Sequence, residues 1–290
     1  MPELPEVEIT ARRLTAALDG AEVESALAPG MVTMKSFAPP LSALVGLRVV
    51  GVGRVGKMPH VDFAADVGAP PSERLSLLVH LMSAGRLQLF DKRASLKDRR
   101  SRVLIRLVDG RELRLREFGT RQRAWTKLVS TGQLPDEEMV STLGPEAWPA
   151  PPLDALAEAV DEPRHLHPLL RDQRRVAGIG RSWVDEILWE ARLSPFKKGS
   201  ELEAGEVKRI HDGLAVLGGA IDHYEQVIGD SVPDKLPMPL KVHRREGEPC
   251  PRCGTRIEAV YFAEHQTNYC PECQTGGRVL KDRRLSRLLK

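Results

Sequence analysis

The chain has 290 residues, 43 Lys+Arg against 40 Asp+Glu for a formal charge of +3, and 41% hydrophobic residues. That length suits about two domains at the usual ~100–200 residues each, and the composition excludes a wholly disordered or collagen-like chain. No uninterrupted apolar run approaches the ~18–20 residues of a membrane helix. The acidic, Pro-broken start Met1-Pro2-Glu3-Leu4-Pro5-Glu6 excludes a signal peptide, so a cytoplasmic protein is expected. Arg outnumbers Lys by 31 to 12. Arg suits phosphate recognition, although a GC-rich genome gives the same bias.

Taken in chain order, residues 5–20 predict one helix, with Val7, Ile9, Leu14 and Leu18 among its apolar positions and Gly20 ending it. Residues 46–57 are Val- and Gly-rich and read as a strand; Leu75 to Leu89 reads as another strand region. Val103, Ile105 and Leu107 recur at period two, Asp109-Gly110 supplies a two-residue turn, and Leu113 and Leu115 carry the pattern back. Residues 1–130 are therefore expected to be β-rich with one opening helix, and 131–152, rich in Pro and acids, to be a linker. Past 150 the pattern turns helical. Leu153–Val160, Leu166–Val176, a segment from Arg181 or Ser182 to a stop at Pro195, and Glu201–Leu217 stopped by Gly218-Gly219 are the predicted helices. Gly178-Ile179-Gly180 between two of them lets the backbone approach closely and can bind a phosphate; plain helix capping explains it as well.

All four cysteines lie near the C-terminus, as Cys250-x2-Cys253 and Cys270-x2-Cys273. Four thiolates at this spacing form a tetrahedral zinc site from two knuckles, with disulfides, which nothing in the sequence favours since nothing indicates secretion, and an iron–sulfur centre as the other readings. With four Cys no coordination position stays open for substrate, so Zn2+ is expected to be structural. The residues between the knuckles read as two short strands around a polar turn. The tail from Arg278 to Lys290 carries six basic residues and one acid, which suits a polyanion or simply a solvated end.

A small residue after Met1 permits removal of the initiator, and Pro2 would then carry a secondary α-amine. Such an amine can attack an aldehyde-like carbon to form an iminium, and the adjacent Glu3 can move protons. Taken alone, the pair also reads as an ordinary solvated terminus.

The opening Pro2-Glu3-Leu4-Pro5-Glu6-Val7-Glu8, the Gly178-Ile179-Gly180 turn and the four-Cys hairpin occur in one order. With them come Gly56-Lys57, His80-Leu81, Arg116 with Phe118-Gly119, Leu143-Gly144-Pro145-Glu146 and Asp185-Glu186-Ile187-Leu188. Together they resemble the formamidopyrimidine-DNA glycosylase/endonuclease VIII family, closer to its formamidopyrimidine branch, over nearly the whole chain up to Gln274. The resemblance implies an α+β multidomain fold. It would comprise an N-terminal β-sandwich with flanking helices over 1–130, a helix–two-turn–helix domain over 153–240, a zinc-finger β-hairpin over 241–274 and a basic tail over 275–290. It implies a bifunctional glycosylase and abasic-site lyase of base excision repair. The enzyme would be monomeric, would act on double-stranded DNA with a damaged base or abasic site, and would be associated with the nucleoid in a bacterium. Pro2 would attack the sugar, Glu3 would serve as acid/base and Lys57 would assist near the lesion. His80, Met82, Arg116, Phe118, Arg181 and His265 would contact DNA, with Arg116 and Phe118 filling the gap left by the flipped base.

Three departures bear on this. Arg181 stands where the family's Gly-Ile-Gly is usually followed by Asn, and His265 stands where the zinc hairpin usually presents Arg. Both fall on phosphate contacts. The usual Met after His-Leu-Gly meets His80-Leu81-Met82-Ser83-Ala84-Gly85 here, so either Met82 or Ser83 takes that place. The loop from Asp222 to Pro237 does not match the usual oxidised-purine pattern. A non-catalytic or lyase-only binder of abasic DNA on the same fold is the alternative.

Overall fold

Pro5 at the start of a run with Leu4, Val7, Ile9, Ala11, Leu14 and Leu18 on one side favours a helix that begins there and buries that stripe. In the computed structural model, which describes residues 2–30, 32–95, 97–262 and 265–281, this helix (α1) spans Leu4–Leu18. Glu3 and Glu6 form a capping box at its start, each side chain accepting the other's backbone N–H. Gly20 takes φ +69° just past its end.

The chain divides into two compact units, one of residues up to Thr142 with Ile221–Pro237, the other of Leu143–Ala220 with the described residues from Met238 onward. The first unit continues with strands β1 (Val23–Leu27), β2 (Arg48–Val55), β3 (Met58–Ala64), β4 (Leu75–His80), β5 (Gly85–Phe90), β6 (Ser101–Leu107), β7 (Glu112–Glu117) and β8 (Trp125–Ser130). They make two four-stranded antiparallel sheets, ordered β1-β6-β7-β5 and β2-β3-β4-β8. Val61, Phe63, Leu77 and Leu128 of one sheet share a core with Leu87, Val103, Ile105 and Leu115 of the other, and Val7, Leu14 and Leu18 of α1 join it. This is the expected β-sandwich with a flanking helix.

The predicted strand region Leu75–Leu89 is two strands in different sheets. The chain reverses at Leu81–Ala84, where the Gly85 amide donates to the Leu81 carbonyl at 2.7 Å and Met82 takes φ +48°. Gly85 closes the turn, since a Cβ there would lie 2.4 Å from the Leu81 carbonyl oxygen, but the central residues Met82-Ser83-Ala84 include no Gly, Pro or Asn. The Asp109-Gly110 hairpin forms, but its loop has three residues, Val108 to Gly110. The Gly110 amide closes on the Leu107 carbonyl at 3.1 Å, and Gly110 at φ +92° lets the Leu107 amide reach the Arg111 carbonyl.

The first unit also holds α2 (Glu138–Ser141), and the second holds α3 (Leu153–Val160), α4 (Leu166–Leu170), α5 (Arg181–Glu190), α6 (Ala204–Gly213) and the start of α7 (Ala215–Val227), whose residues 221–227 belong to the first unit. Strands β9 (Glu258–Phe262) and β10 (His265–Tyr269) pair antiparallel, and a short helix, α8 (Pro271–Thr275), follows. The segment Leu166–Val176 is helical only to Leu170. Asp172 ends it, its carboxylate accepting the Arg174 amide and its carbonyl the Arg175 and Val176 amides, a turn an Asp side chain favours. Two consecutive turns thus separate α4 from α5. The Leu143-Gly144-Pro145-Glu146 segment backs them, through Gly144 N–H to Gln173 O and Ala177 N–H to Pro145 O.

Helix α5 ends at Glu190 and not at Pro195, with Arg192 at φ +55° turning the chain. The predicted Glu201–Leu217 helix is two helices, and Gly218-Gly219 lies inside the second. Packing explains why Gly218 is not a stop: a Cβ there would lie 2.8 Å from the Trp148 indole nitrogen. Among the described residues no helix is long and apolar enough to cross a membrane. Of the basic tail, residues 282–290 lie outside the described residues.

Candidate functional site

The first unit carries Pro2, Glu3, Lys57, His80, Met82, Arg116 and Phe118. Pro2 is buried immediately before the N-cap of α1, and Glu3, at 2% exposure, is that N-cap. The capping box therefore holds the backbone next to Pro2: the Glu3 amide donates to Glu6 Oε2 at 2.9 Å. The other Glu6 oxygen accepts the Tyr224 hydroxyl at 2.6 Å. Burial, reinforced by the Glu6 carboxylate, holds the Tyr224 phenol proton far above the usual tyrosine range, so the hydroxyl stays a donor. No motif in the sequence marks Glu6 or Tyr224 for this pairing. The Glu3-x-x-Glu6 spacing was the available signal for one of them.

Lys57 follows Gly56 (φ +56°) in the two-residue turn between β2 and β3, where Val55 pairs with Met58. The turn is braced by Arg54, which donates to the Gly56 carbonyl at 3.3 Å and to Glu8 of α1 at 2.8 Å. His80 ends β4 and stacks on Trp125 at 5.3 Å with an 18° interplanar angle. Its Nδ1 accepts the Met82 amide at 3.1 Å, which leaves the proton on Nε2. Burial lowers its pKa and the Lys57 charge adds to this. His80 is thus a neutral imidazole that offers Nε2–H as a donor.

Arg116 of β7 lies over the Phe118 ring at 4.8 Å, so the structure brings this expected pair together; Phe118 is 37% exposed. Arg116 also donates to Gln88 Oε1 at 3.2 Å and to Asp234 Oδ1 at 3.1 Å. Gln88 donates to the same Asp234 oxygen and to the Val232 carbonyl, and Arg86 donates to the Asp234 carbonyl. The loop after α7 is therefore fastened along β5 and β7 by side chains 118 to 148 residues away. No local pattern reports such contacts.

The second unit carries Arg181, His265 and the four cysteines. The Arg181 guanidinium, at the first residue of α5, lies 2.7 Å from His265 Nε2 at the start of β10. A guanidinium only donates, so His265 Nε2 is the acceptor and the imidazole is neutral in this contact. Beneath it, Asp185 of α5 accepts His243 Nδ1 at 2.7 Å and the Asn268 amide at 3.0 Å. Glu186 accepts the amides of Lys241, Val242 and His243. Burial raises the Glu186 pKa and Asp185 adds to it, while the three amides oppose it. Two consecutive buried acids thus anchor the chain entering the cysteine module, and β10, to α5.

The four cysteine sulfurs lie within 4.8 Å of one another, with separations of 4.0 Å for Cys250–Cys273, 3.4 Å for Cys253–Cys270 and 3.5 Å for Cys253–Cys273. A tetrahedron of sulfurs ~2.3 Å from zinc has edges of about 3.8 Å, whereas a disulfide needs about 2.05 Å. The donor set therefore fits a metal and not a crosslink. Thr255 holds the Cys253 thiol down to about 6. Burial would raise Cys250, yet the Arg252 amide and the Trp189 indole bring it below the usual range. Trp189 N–H reaches Cys250 Sγ at 3.3 Å, and Arg252 covers the ring at 3.9 Å.

Comparison with known proteins places three family models along the chain. They are the formamidopyrimidine-DNA glycosylase N-terminal domain over residues 1–122, the formamidopyrimidine-DNA glycosylase H2TH domain over 143–231, and the zinc finger found in FPG and IleRS over 247–276. A formamidopyrimidine-DNA glycosylase of Geobacillus kaustophilus is 33% identical over 290 residues, covering 94% of this chain and all of that one. The Lactococcus lactis Fpg, solved in complex with abasic-site DNA, superposes with a TM-score of 0.81 at 26% identity, covering 94% of this chain and 99% of that one. The same enzyme with DNA containing N7-benzyl-Fapy-dG gives 0.80 at 28% identity, covering 94% and 100%. The four-cysteine module is accordingly a structural zinc site, with Cys250, Cys253, Cys270 and Cys273 as the donor set.

Proposed function

The chain belongs to the formamidopyrimidine-DNA glycosylase family, and from that premise we propose that it is a bifunctional DNA glycosylase and abasic-site lyase of base excision repair. The observation that carries this reading is the buried Pro2-Glu3 pair held at the N-cap of α1. With Met1 removed, the Pro2 nitrogen lone pair forms a bond to C1′ of a flipped nucleotide as the glycosidic bond breaks and the base leaves with a proton. Opening of the sugar ring gives an iminium. Loss of a C2′ proton expels the 3′ phosphate, a second elimination expels the 5′ phosphate, and water releases Pro2. Glu3 supplies and takes protons in these steps, and Lys57 binds DNA beside the lesion.

Arg116 and Phe118 fill the vacated stack, while His80, Met82, Arg181 and His265 hold the backbone or the gap. The substrate is double-stranded DNA carrying a damaged base or an abasic site, and the protein acts as a cytoplasmic monomer. Zinc supplies folding free energy to its module and takes no part in the chemistry. The Arg181–His265 contact, at two positions where the family pattern is broken, favours as second reading a lyase-only or non-catalytic binder of abasic DNA.

Borohydride reduction of untagged protein on a duplex with one abasic site separates the two. The proposal expects a trapped adduct that retention of Met1 abolishes by turning the Pro2 nitrogen into an amide, and whose rate of formation changes in Pro2→Gly, which leaves a primary amine. Good binding without an adduct, from protein confirmed to begin at Pro2, would sink it in favour of the binder.

A further inference from the structure

Glu6 has two carboxylate oxygens, and each accepts a different donor: Oε2 takes the Glu3 amide at 2.9 Å and Oε1 takes the Tyr224 hydroxyl at 2.6 Å. Glu6 is 6% exposed and Tyr224 is fully buried. A carboxylate accepts from both donors at once, one on each oxygen. The residues are 218 apart in sequence, so α7 reaches back to the first turn of α1 for this contact. Arg86 of β5 also senses the Glu6 charge, and Glu3 shares its turn.

We propose that Tyr224 is a positioning residue for the reaction at Pro2: its hydroxyl orients Glu6, and Glu6 orients the Glu3 backbone from which both the proline nitrogen and the Glu3 carboxylate project. The inference rests on Pro2 and Glu3 carrying the chemistry. A nucleophile on a chain terminus is held from one side only, so its alignment depends on the next peptide. Misplacing such a group by a fraction of an ångström slows the bond-forming step without weakening substrate binding. Because burial and Glu6 keep the phenol protonated, Tyr224 serves as a fixed donor and not as an acid or base.

Tyr224→Phe keeps the buried ring and removes only the hydroxyl. Single-turnover borohydride trapping on a saturating abasic duplex should slow on the order of tenfold, with affinity for a tetrahydrofuran-containing duplex unchanged. Glu6→Gln should slow it as well, and the double variant should be no slower than Glu6→Gln alone, since both changes break one chain of contacts. A readout independent of catalysis is hydrogen exchange at the Glu3 amide, which should lose protection in Tyr224→Phe. An unchanged trapping rate would overturn the proposal even if thermal stability fell, as would unchanged Glu3 protection. Absence of an adduct from wild-type protein would instead defeat the catalytic reading of Pro2, and the Glu3 amide would still decide whether Tyr224 orients this turn.

Discussion

Arg181 and His265, the two residues that depart from the family's usual phosphate contacts, touch each other at 2.7 Å. The two departures are therefore joined in space: the guanidinium at the start of α5 donates to a neutral imidazole on β10. His265 Nδ1 is buried with no hydrogen-bond partner among the described residues, so the imidazole is held through Nε2 alone. The site keeps one permanent positive charge.

Arg181→Ala should accordingly weaken binding to an abasic-analogue duplex about tenfold. It should also lower the slope of log affinity against log salt by about one, the value for a single phosphate contact. His265→Ala should cost less, because it removes an orienting acceptor and no charge. Arg181→Asn combined with His265→Arg should bind about as tightly as wild type. Fluorescence anisotropy over a salt series checks all three. Equal slopes for wild type and Arg181→Ala would show that this arginine does not meet the backbone.

Zinc removal should unfold the cysteine module while leaving the first unit folded. A structural zinc contributes on the order of 10 kcal/mol to a module of this kind. Here the cluster core is small: Val242, Cys250, Ile257 and Cys270 around Trp189. Chelation should abolish specific DNA binding, and added Zn2+ should restore it. Trp189→Phe loses the N–H···S contact with Cys250, so chelator-driven zinc release should be several-fold faster. A chromogenic zinc indicator reads that rate directly.

Much of the fold can be read from local pattern, and the exceptions share a cause. The cysteine spacing specifies the metal module because its four ligands come in two local pairs. The first helix follows from Pro5, Gly20 and the apolar stripe between them. The reversal after His80 escapes because its markers, Ser83 and Gly85, are weak beside the apolar residues that continue the strand pattern on either side; the two strands it joins lie in different sheets. Gly218-Gly219 reads as a stop, yet the indole of Trp148, 70 residues earlier, requires a glycine inside α7. The motif-borne candidates could be named one by one. The contacts that orient them, Tyr224 on Glu6 and Asp234 on Arg116, lie 218 and 118 residues apart and arise only on folding.

Met82 occupies left-handed backbone at φ +48°, a conformation that costs a residue with a Cβ roughly 1–2 kcal/mol relative to glycine. It therefore sits in the backbone place of the glycine in the family's usual His-Leu-Gly-Met. Met82→Gly should raise the stability of the protein by about 1 kcal/mol, visible in urea or thermal unfolding. If the Met82 side chain fills the gap in the duplex, the same variant should excise or cleave several-fold more slowly. A variant that is more stable and equally active would assign that place to Ser83.

Asp234 restrains the Arg116 guanidinium that is proposed to enter the duplex. The pair is half open to solvent on the Asp234 side, so its loss should change stability by less than about 1 kcal/mol. Its effect on DNA should be larger, since Asp234→Asn loosens the hold on Arg116, which Gln88 still bonds, and removes a negative charge beside a guanidinium proposed to meet DNA. Affinity for the abasic duplex should rise two- to five-fold by anisotropy, in the rough range of one screened charge contact. Arg116→Ala should cancel the gain.

His80 gives the first unit a defined response to acid. Its pKa is lowered in the folded chain, first by burial and then by Lys57, whereas in the unfolded chain it returns to about 6.5. Between the lowered folded value and about 6.5 the unfolded state binds more protons, so stability rises with pH across that window. His80 therefore contributes its full stability above about 6.5 and loses it as the pH falls toward the folded value. A proton on Nδ1 would also displace the Met82 amide at 3.1 Å and loosen the Leu81–Ala84 turn. His80→Gln should flatten the loss of stability on the acid side of neutrality. Urea midpoints for both proteins at intervals from pH 5 to 8 test this, and parallel curves would show that burial of His80 does not carry the dependence.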